Sequence, residues 1–317
     1  MHGTHQATMA VTAAVLVAGG VWIAAQGAAP TLEQARASAY TGIYSTAITL
    51  KAGVYEGAPF IAGGAMRPRV ELIDPGMATG GVGGDGRAEA LVLLSESSGG
   101  SGDNLYLAVL AADGGKTRNL ATVLVGNRVQ VRSLAIVNGS IVMETVEAGP
   151  NDAMCCPTAK LRRTWTLQNG SVQEGKAEPQ GRVSLADLEG WVWTLTSLNW
   201  KDPLPSGVTV TAEFRTAKLP AGVTVPDENR GDSVGGTGGC NRYSARMNAG
   251  DGAQRLIISP AAATRMACPG DQMQVEDAYF SALVKATSFS FLPGNRLVLT
   301  CRDGEATRTL VFVAAEK

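Results

Sequence analysis

The chain has 317 residues with a hydrophobic fraction of 45%, and this length favours two domains plus a targeting segment. Its formal net charge is −1, and acidic and basic residues are interspersed along the chain. Because proteins that bind nucleic acid usually carry a basic stripe, this charge pattern excludes a typical nucleic-acid partner.

A long apolar run lies near the N-terminus, over residues 9–25, and the small residues Gly27, Ala28 and Ala29 follow it. This order is typical of a secretory signal peptide that is cleaved after Gly27 or Ala29. An uncleaved membrane anchor is the alternative, because about 20 apolar residues can span a bilayer. The sequence therefore predicts a secreted or periplasmic protein whose residues 1–29 are a signal peptide or an N-terminal anchor. Contact with a membrane is expected only through this segment, if it stays uncleaved.

Export also limits the chemistry that the chain can perform. Both histidines, His2 and His5, lie in the leader, so a mature chain would contain none. Ser-His-Asp catalysis, Cys-His catalysis and histidine-ligated zinc are then excluded. The sequence has no Cys-x-x-Cys pair, and the glycine-rich stretch around Asp85 and Glu89 has too few carboxylates for calcium. We therefore expect no catalytic residues, no metal and no cofactor.

Residues 30–178 are predicted to form a β-rich domain with one helix. The helix is predicted over residues 31–44, because Thr31 and Gln34 suit a capping box. The dipeptide at 138–139, Asn-Gly, lies between two β-rich runs and indicates a hairpin. The strand-like runs are Ala90–Leu94, Leu105–Leu110, Ala121–Val125, Val129–Val137, Ser140–Thr145 and Arg163–Leu167. They predict an antiparallel meander.

Residues 176–183 lack apolar periodicity and contain a proline and a glycine, so they are predicted to be a linker. A second β series fills residues 184–317. One helix interrupts it after Asp271, where apolar residues recur at every fourth position. The fold class is therefore mostly β with an α+β tendency, and it consists of two antiparallel β-rich domains.

Two sequence elements in the second half carry a family resemblance: Gly238–Tyr243 (Gly-Gly-Cys-Asn-Arg-Tyr) and Ala263–Pro269 (Ala-Thr-Arg-Met-Ala-Cys-Pro). With these elements, residues 184–317 resemble the META (HslJ-like) domain family. The resemblance implies a small β-rich domain with one helix packed on its sheet, in a bacterial envelope protein. Family members are associated with heat-shock response and antibiotic tolerance, and the family defines no catalytic residues. The matching motif residues are Trp193, Gly239, Cys240, Asn241, Arg242, Tyr243, Thr264, Met266 and Cys268.

The first half is similar to an uncharacterised bacterial envelope domain. The similarity rests on short glycine-rich and cysteine-containing elements at Gly84–Gly86, Gly99–Gly102, Gly126–Val129 and Asp152–Pro157. It implies no activity.

The five cysteines of an exported chain meet an oxidising compartment. Their odd number leaves at least one thiol free or paired between chains. The resemblance pairs Cys240 with Cys268, because these two occupy the two family elements. Cys155 and Cys156 are adjacent, which makes them a candidate redox pair; otherwise one pairs with a distant cysteine or both stay buried. The pairing of Cys301 stays open.

These patterns predict an exported bacterial envelope protein that acts as an interaction or stress-protection module without catalysis. Its partner is expected to be an unidentified envelope protein or a small ligand, contacted through the proline-rich loop at residues 201–229. The alternatives are a histidine-independent envelope enzyme and a purely structural envelope protein. A deep polar cleft with convergent acids would favour the enzyme, and an exposed apolar surface would favour the module.

Overall fold

The computed structural model describes residues 28–100, 102–153, 156–200, 202–218 and 231–316. Their strands pair antiparallel and their helices are few, so the mostly β fold class is confirmed. Across these ranges, none of the helices has the length and apolar content needed to cross a membrane. Of the predicted leader, residues 1–27 lie outside the described part of the chain.

The N-terminal half, residues 28–182, contains one short helix and three antiparallel sheets within the described ranges. Its elements are α1 Leu32–Arg36, β1 Ala39–Tyr40, β2 Ile48–Thr49, β3 Val54–Glu56, β4 Arg69–Leu72, β5 Ala78–Gly80, β6 Glu89–Ser97, β7 Asn104–Asp113, β8 Lys116–Asn127, β9 Gln130–Val137, β10 Ser140–Glu147, β11 Ala159–Gln168, β12 Ser171–Glu174 and β13 Glu178–Arg182. The first sheet has the order β3-β4-β6-β7-β8, with β5 on β6. The second has the order β12-β11-β10-β9, with β13 on β11, and β1 pairs with β2.

The central strand of the first sheet, β6, is buried on both faces. Successive side chains of a strand alternate between faces, so Leu91 and Leu93 point to one side and Val92 and Leu94 to the other. The first pair packs against the second sheet, in a cluster that includes the fully buried Trp165. The second pair packs against residues of α1, β1 and β2. Burial on both faces explains why this strand is a continuous apolar run instead of an alternating one.

The second sheet confirms the predicted meander. Strands β9, β10, β11 and β12 follow one another in the chain and lie side by side. The turn between β9 and β10 is formed by Asn138 and Gly139, with φ values of 50° and 76°. Both residues adopt the left-handed conformation that a two-residue hairpin turn requires, so the hairpin prediction is also confirmed.

The first predicted helix is shorter than expected. It was predicted over residues 31–44, but α1 contains only five residues. The capping box is confirmed, because Thr31 and Gln34 each accept a hydrogen bond from the other's backbone amide. The hydroxyls of Ser38 and Tyr40 donate to two carbonyls of α1, at 2.6 and 2.8 Å. These bonds satisfy the end of the helix, and the chain turns into β1.

The predicted linker at residues 176–183 contains a strand instead. Strand β13 pairs antiparallel with β11, and Pro179 lies opposite Leu161. All five side chains of β13 are exposed, so the sequence offers no apolar alternation that would indicate a strand. A proline is tolerated in β13 because an edge strand does not need every backbone amide for pairing.

The C-terminal half, residues 183–316, is built on one ten-stranded sheet. Its elements are a 3₁₀ turn at Leu185–Leu188, β14 Trp191–Leu198, β15 Asp202–Pro203, β16 Thr211–Arg215, β17 Ser233–Thr237, β18 Arg242–Ala249, β19 Leu256–Ile258, β20 Ala262–Ala263, α2 Gln272–Leu283, β21 Ala286–Leu292, β22 Arg296–Asp303 and β23 Ala306–Glu316. The order is β19-β18-β17-β16-β14-β23-β22-β21, with β15 on β14 and β20 on β18. The two ends approach each other, since the Phe289 amide donates to the Gln254 carbonyl at 3.0 Å beside a bridge from Arg255 to Ser288.

Helix α2 packs on this sheet, as expected from its apolar repeat. Val275, Tyr279 and Leu283 are all buried and belong to one core cluster with residues of the sheet. Asp271 takes the N-cap position, but its side chain makes no capping hydrogen bond. The helix is therefore held chiefly by tertiary packing, which is the usual source of helix stability in proteins.

One contact between the halves centres on Gln130. Gln130 and Gln254 exchange side-chain amide hydrogen bonds of 3.0 and 2.8 Å. The backbone amide of Phe291 also donates to Gln130 Oε1, at 3.0 Å. Nearby, a Cβ added to Gly294 would lie 2.6 Å from Cγ of Pro75, so the two backbones approach closely. This approach places the β21–β22 hairpin against the N-terminal half.

A second contact between the halves centres on Asp187 in the 3₁₀ turn, whose side chain is 7% exposed. Lys160 lies 2.8 Å from its carboxylate and Arg132 lies 3.1 Å away. A buried carboxylate is costly unless it is paired, so these two cations compensate the burial. Because they come from β11 and β9, the pairing fixes the C-terminal half to the second sheet.

Candidate functional site

The family motif residues surround one buried side chain, that of Asn241, which is 2% exposed. Its Oδ1 accepts hydrogen bonds from the Thr264 hydroxyl at 2.8 Å and the Met266 amide at 2.7 Å. Its Nδ2 donates to the Met266 carbonyl at 3.3 Å and to Glu276 Oε1 at 2.8 Å. An asparagine side chain has two donor hydrogens and an oxygen with two lone pairs, so its capacity is fully used. Asn241 therefore fastens two loops to α2.

Glu276 completes this arrangement, and the sequence motifs did not reveal it. Its side chain belongs to α2, and the residue is 4% exposed. Oε2 accepts the backbone amides of Cys240 at 3.2 Å and Asn241 at 2.6 Å. These bonds compensate the buried carboxylate. The sequence did contain a signal for this residue. Glu276 lies three positions before Tyr279, so it belongs to the helix face that the apolar repeat buries.

The predicted disulfide joins the same two loops. Cys240 and Cys268 are bonded, with 5.8 Å between their Cα atoms. Gly238 lies so close to α2 that an added Cβ would be 2.6 Å from the ring of Phe280. Gly239 has a φ of 121°, which favours glycine. We call this unit the motif clamp: Asn241, Glu276, the disulfide and the loops that they join.

The other motif residues have two different environments. Trp193 and Tyr243 lie in the core, and the Tyr243 hydroxyl shares a 2.6 Å hydrogen bond with that of Tyr279. Burial raises the pKa of both tyrosines above the ordinary value, so both stay protonated at neutral pH. Arg242 and Met266 have exposed side chains, and Met266 is 55% exposed. The buried part of the motif therefore stabilises the fold.

A separate region forms a cleft of about 1120 Å³ between the two halves. Its N-terminal wall comes from β4, from the residues that follow β4, and from the starts of β7 and β9. Its C-terminal wall comes from the β21–β22 hairpin and Trp200. The polar and aromatic side chains of the lining include Arg36, Glu71, Asp74, Asp103, Asn104, Arg128, Gln130, Trp200, Ser290, Phe291 and Arg296.

The charged groups of this cleft differ in their partners. Arg36 lies 2.5 Å from Asp74, and Glu71 lies 3.4 Å from Arg69. Arg296 donates through Nε to a backbone carbonyl at 3.0 Å, but no described residue accepts from its two terminal amino groups. Burial lowers the pKa of its guanidinium, and the charge of Asp74 opposes that effect. Arginine nevertheless stays charged at neutral pH.

The model of the META domain family matches residues 186–317. This range contains the motif clamp, so the resemblance on which the disulfide was predicted is confirmed. A solved NMR structure of a protein from Burkholderia xenovorans is 25% identical and covers 42% of this chain and 87% of that chain, with a TM-score of 0.30. No curated protein matches this chain.

The cysteines outside the META domain motif differ in whether they form a disulfide. Cys156 is disulfide-bonded, whereas Cys155 lies outside the described residues. Nearby, the Asp152 carboxylate accepts hydrogen bonds from the Thr158 hydroxyl, which keep the pKa of that carboxyl below its usual range. Cys301 is a free thiol in the core of the META domain, and burial raises its pKa to about 12. A redox role for Cys155 and Cys156 stays a prediction.

Two further predictions concern ligands. The proline-rich loop at residues 201–229 is described only from 202 to 218, where β15 and β16 belong to the META sheet. Its predicted contact with a partner stays a prediction. Within the described ranges, no three or more side chains of His, Cys, Asp or Glu are placed to hold a metal ion.

Proposed function

We propose that this chain is an exported bacterial envelope protein that binds a small ligand between its two halves and does not turn it over. The META domain and the Cys240–Cys268 disulfide support an extracytoplasmic site, since disulfides persist in oxidising compartments. The apolar leader at residues 9–25 supports export.

The cleft between the halves carries the proposal. Small-molecule sites occur preferentially where two structural units meet, and their volumes are commonly about 300–1,000 Å³. The cleft is slightly larger than this range, at about 1120 Å³. Its walls are fixed to each other by the Gln130 contacts and the close approach of Gly294 to Pro75. A preorganised cleft loses little entropy when a ligand binds.

The partners of the acidic groups support binding without catalysis. A carboxylate acts as a general base when it can reach a substrate proton. Asp74 is paired with Arg36, and Glu71 lies beside Arg69. The two carboxyls whose pKa values are lowered by hydrogen bonds, Asp152 and Asp303, line no part of the cleft. Of the three carboxylates that line the cleft, only Asp103 has no cationic partner among the described residues, so the lining supports recognition more than proton transfer.

A cleft-filling variant tests this function. Ser290 lines the cleft from β21, so Ser290→Trp would occupy the ligand volume. Thr307→Trp, at an exposed position of β23 outside the cleft, is the matched control. The full chain, exported by its host, is screened against a library of small organic acids, amides and sugars by thermal shift. We expect compounds that raise the melting temperature of the parent and of Thr307→Trp, and not that of Ser290→Trp.

Two results would overturn the proposal. One is a screen in which no stabilising compound depends on Ser290. The other is conversion of a bound compound to product by the purified chain at a rate well above that in buffer, because this would indicate an enzyme.

A further inference from the structure

The cleft contains one cation whose hydrogen-bonding capacity is largely unused. Arg296, the first residue of β22, is half-buried, and its Nε donates to the Pro293 carbonyl at 3.0 Å. No described residue accepts from its two terminal amino groups. An oxyanion would satisfy these groups, because the guanidinium fork matches two oxygens of a carboxylate or phosphate.

An exposed aromatic ring lines the same cleft. Trp200 is 53% exposed, although tryptophan is usually well buried. Asn199 and Trp200 both have left-handed backbones, with φ values of 54° and 65°. Both residues lie in the tight hairpin turn between β14 and β15, which requires this conformation. The Asn199 amide donates to the Thr309 carbonyl at 2.8 Å, which ties the turn to β23 and holds the ring at the cleft.

We infer that the cleft takes an organic oxyanion, a carboxylate or a phosphate carried on a planar apolar group. Arg296 binds the oxyanion through its terminal amino groups, and Trp200 stacks against the planar group. This inference rests on the proposed function, since it names the class of ligand for the same cleft.

The other charged residues of the lining do not oppose an anion, because the three arginines of the cleft balance its three carboxylates. Asp74 is paired with Arg36, which also pairs with Glu33, and Glu71 lies beside Arg69, which also pairs with Glu56. Asp103 is exposed to solvent, where its charge is strongly screened. The preference for an anion therefore rests on Arg296, whose terminal amino groups have no described acceptor, whereas Asp74 and Glu71 each have a cation beside them.

A titration with three related probes tests the inference. The probes are 2-naphthoate, 2-naphthyl phosphate and the uncharged 2-naphthamide, and the ¹⁵N-labelled full chain is followed at the Arg296 Nε–H and the Trp200 indole N–H. We expect at least one anion to shift both resonances, and 2-naphthamide to bind at least about tenfold more weakly, because a charged hydrogen bond is lost. Comparison of the two anions distinguishes a carboxylate ligand from a phosphate ligand.

Two variants sharpen the titration. Arg296→Gln should reduce the affinity for the anion to that for the amide, whereas Arg302→Gln, an exposed position of the same strand outside the cleft, should leave both affinities unchanged. Equal affinities of the parent for anion and amide, or no binding of either anion, would overturn the inference. If the amide still binds and Ser290→Trp abolishes that binding, the proposed function stands while the anion site falls. If binding survives Ser290→Trp, both fall.

Discussion

The motif clamp and the cleft use polar residues in opposite ways. In the clamp, every donor and acceptor of the Asn241 side chain has a protein partner, and Glu276 accepts from the loops around it. In the cleft, Arg296 has two terminal amino groups without a described partner, and Trp200 presents an exposed ring. A side chain whose bonds are all made within the protein stabilises the fold, whereas one with unused bonds is available to a ligand.

This contrast teaches that the family motif need not mark the functional site. The motif identifies the META domain because the clamp holds its two loops on α2. The candidate ligand residues belong to no motif, and one wall of their cleft is supplied by the other half of the chain. The family motif therefore accounts for the stability of the domain and does not locate the candidate ligand site.

Loss of the disulfide is expected to have the largest effect. The bond links residues 28 positions apart, and the double variant Cys240→Ser/Cys268→Ser should lower the free energy of unfolding by about 3.5 kcal/mol in the chain-entropy model. Urea unfolding of the variant and the parent measures this change. Ligand binding in the cleft should be retained. A folded variant that no longer binds ligand in the cleft would show that the clamp and the cleft are not separate in function.

Asn241→Ala should rank next, at about 3 kcal/mol, because it leaves the buried Glu276 carboxylate and the Met266 amide short of partners. Asn241→Asp sharpens the test, since it places a second carboxylate 2.8 Å from Glu276 Oε1. Two carboxylates this close raise the pKa of one of them, and a raised pKa in the folded state gives stability that is lost as pH rises. This variant should therefore gain stability as pH falls from 7 to about 5, and a parent-like pH profile by urea unfolding would contradict the clamp.

Gly294→Ala should weaken the contact between the two halves and so lower the stability of the chain. Gly294 has a φ of 77°, and an added Cβ would lie 2.6 Å from Pro75. Gly304→Ala is the matched control, because Gly304 has a φ of 62° and an added Cβ would meet nothing within 4 Å. Backbone strain should lower the stability of both by about 1 kcal/mol, and the contact should cost Gly294→Ala a further 1 kcal/mol or so. Differential scanning calorimetry measures this; equal losses would mean that Gly294 does not hold the junction.

The smallest effect concerns the free thiol of the META domain. Burial raises the pKa of Cys301 to about 12, so at pH 8 it stays protonated and out of reach of iodoacetamide. Mass spectrometry of peptides should find Cys301 unlabelled in the folded chain and labelled in urea. A raised folded-state pKa also means that stability falls above about pH 9, where the unfolded thiol ionises. Labelling of the folded chain at pH 8 would place Cys301 outside the core.

The sequence predicts the parts of this molecule that local patterns determine. The β fold, the hairpin at Asn138-Gly139 and the capping box at Thr31 follow from local chemistry, and the disulfide follows from the family resemblance. Strand β13 was missed because its side chains are exposed and its only structural signal is backbone pairing.

The cleft could not be predicted, for a different reason. Asp74 and Arg296 are far apart in the sequence, and they line one cleft only because the halves dock through Gln130 and Asp187. Nothing in the sequence near Arg296 indicates that its terminal amino groups would lack a partner. Contacts between distant segments depend on tertiary packing, which hydrophobic periodicity does not specify.

The most direct test of the account measures stability and affinity together on two variants. Cys240→Ser/Cys268→Ser and Arg296→Gln are compared with the parent by melting temperature and by the dissociation constant for whichever naphthyl anion binds the parent. The account predicts that the first variant melts at a lower temperature and keeps its affinity, while the second keeps its melting temperature and loses affinity about tenfold. The reverse pattern, with affinity lost on opening the clamp and unchanged without Arg296, would contradict it.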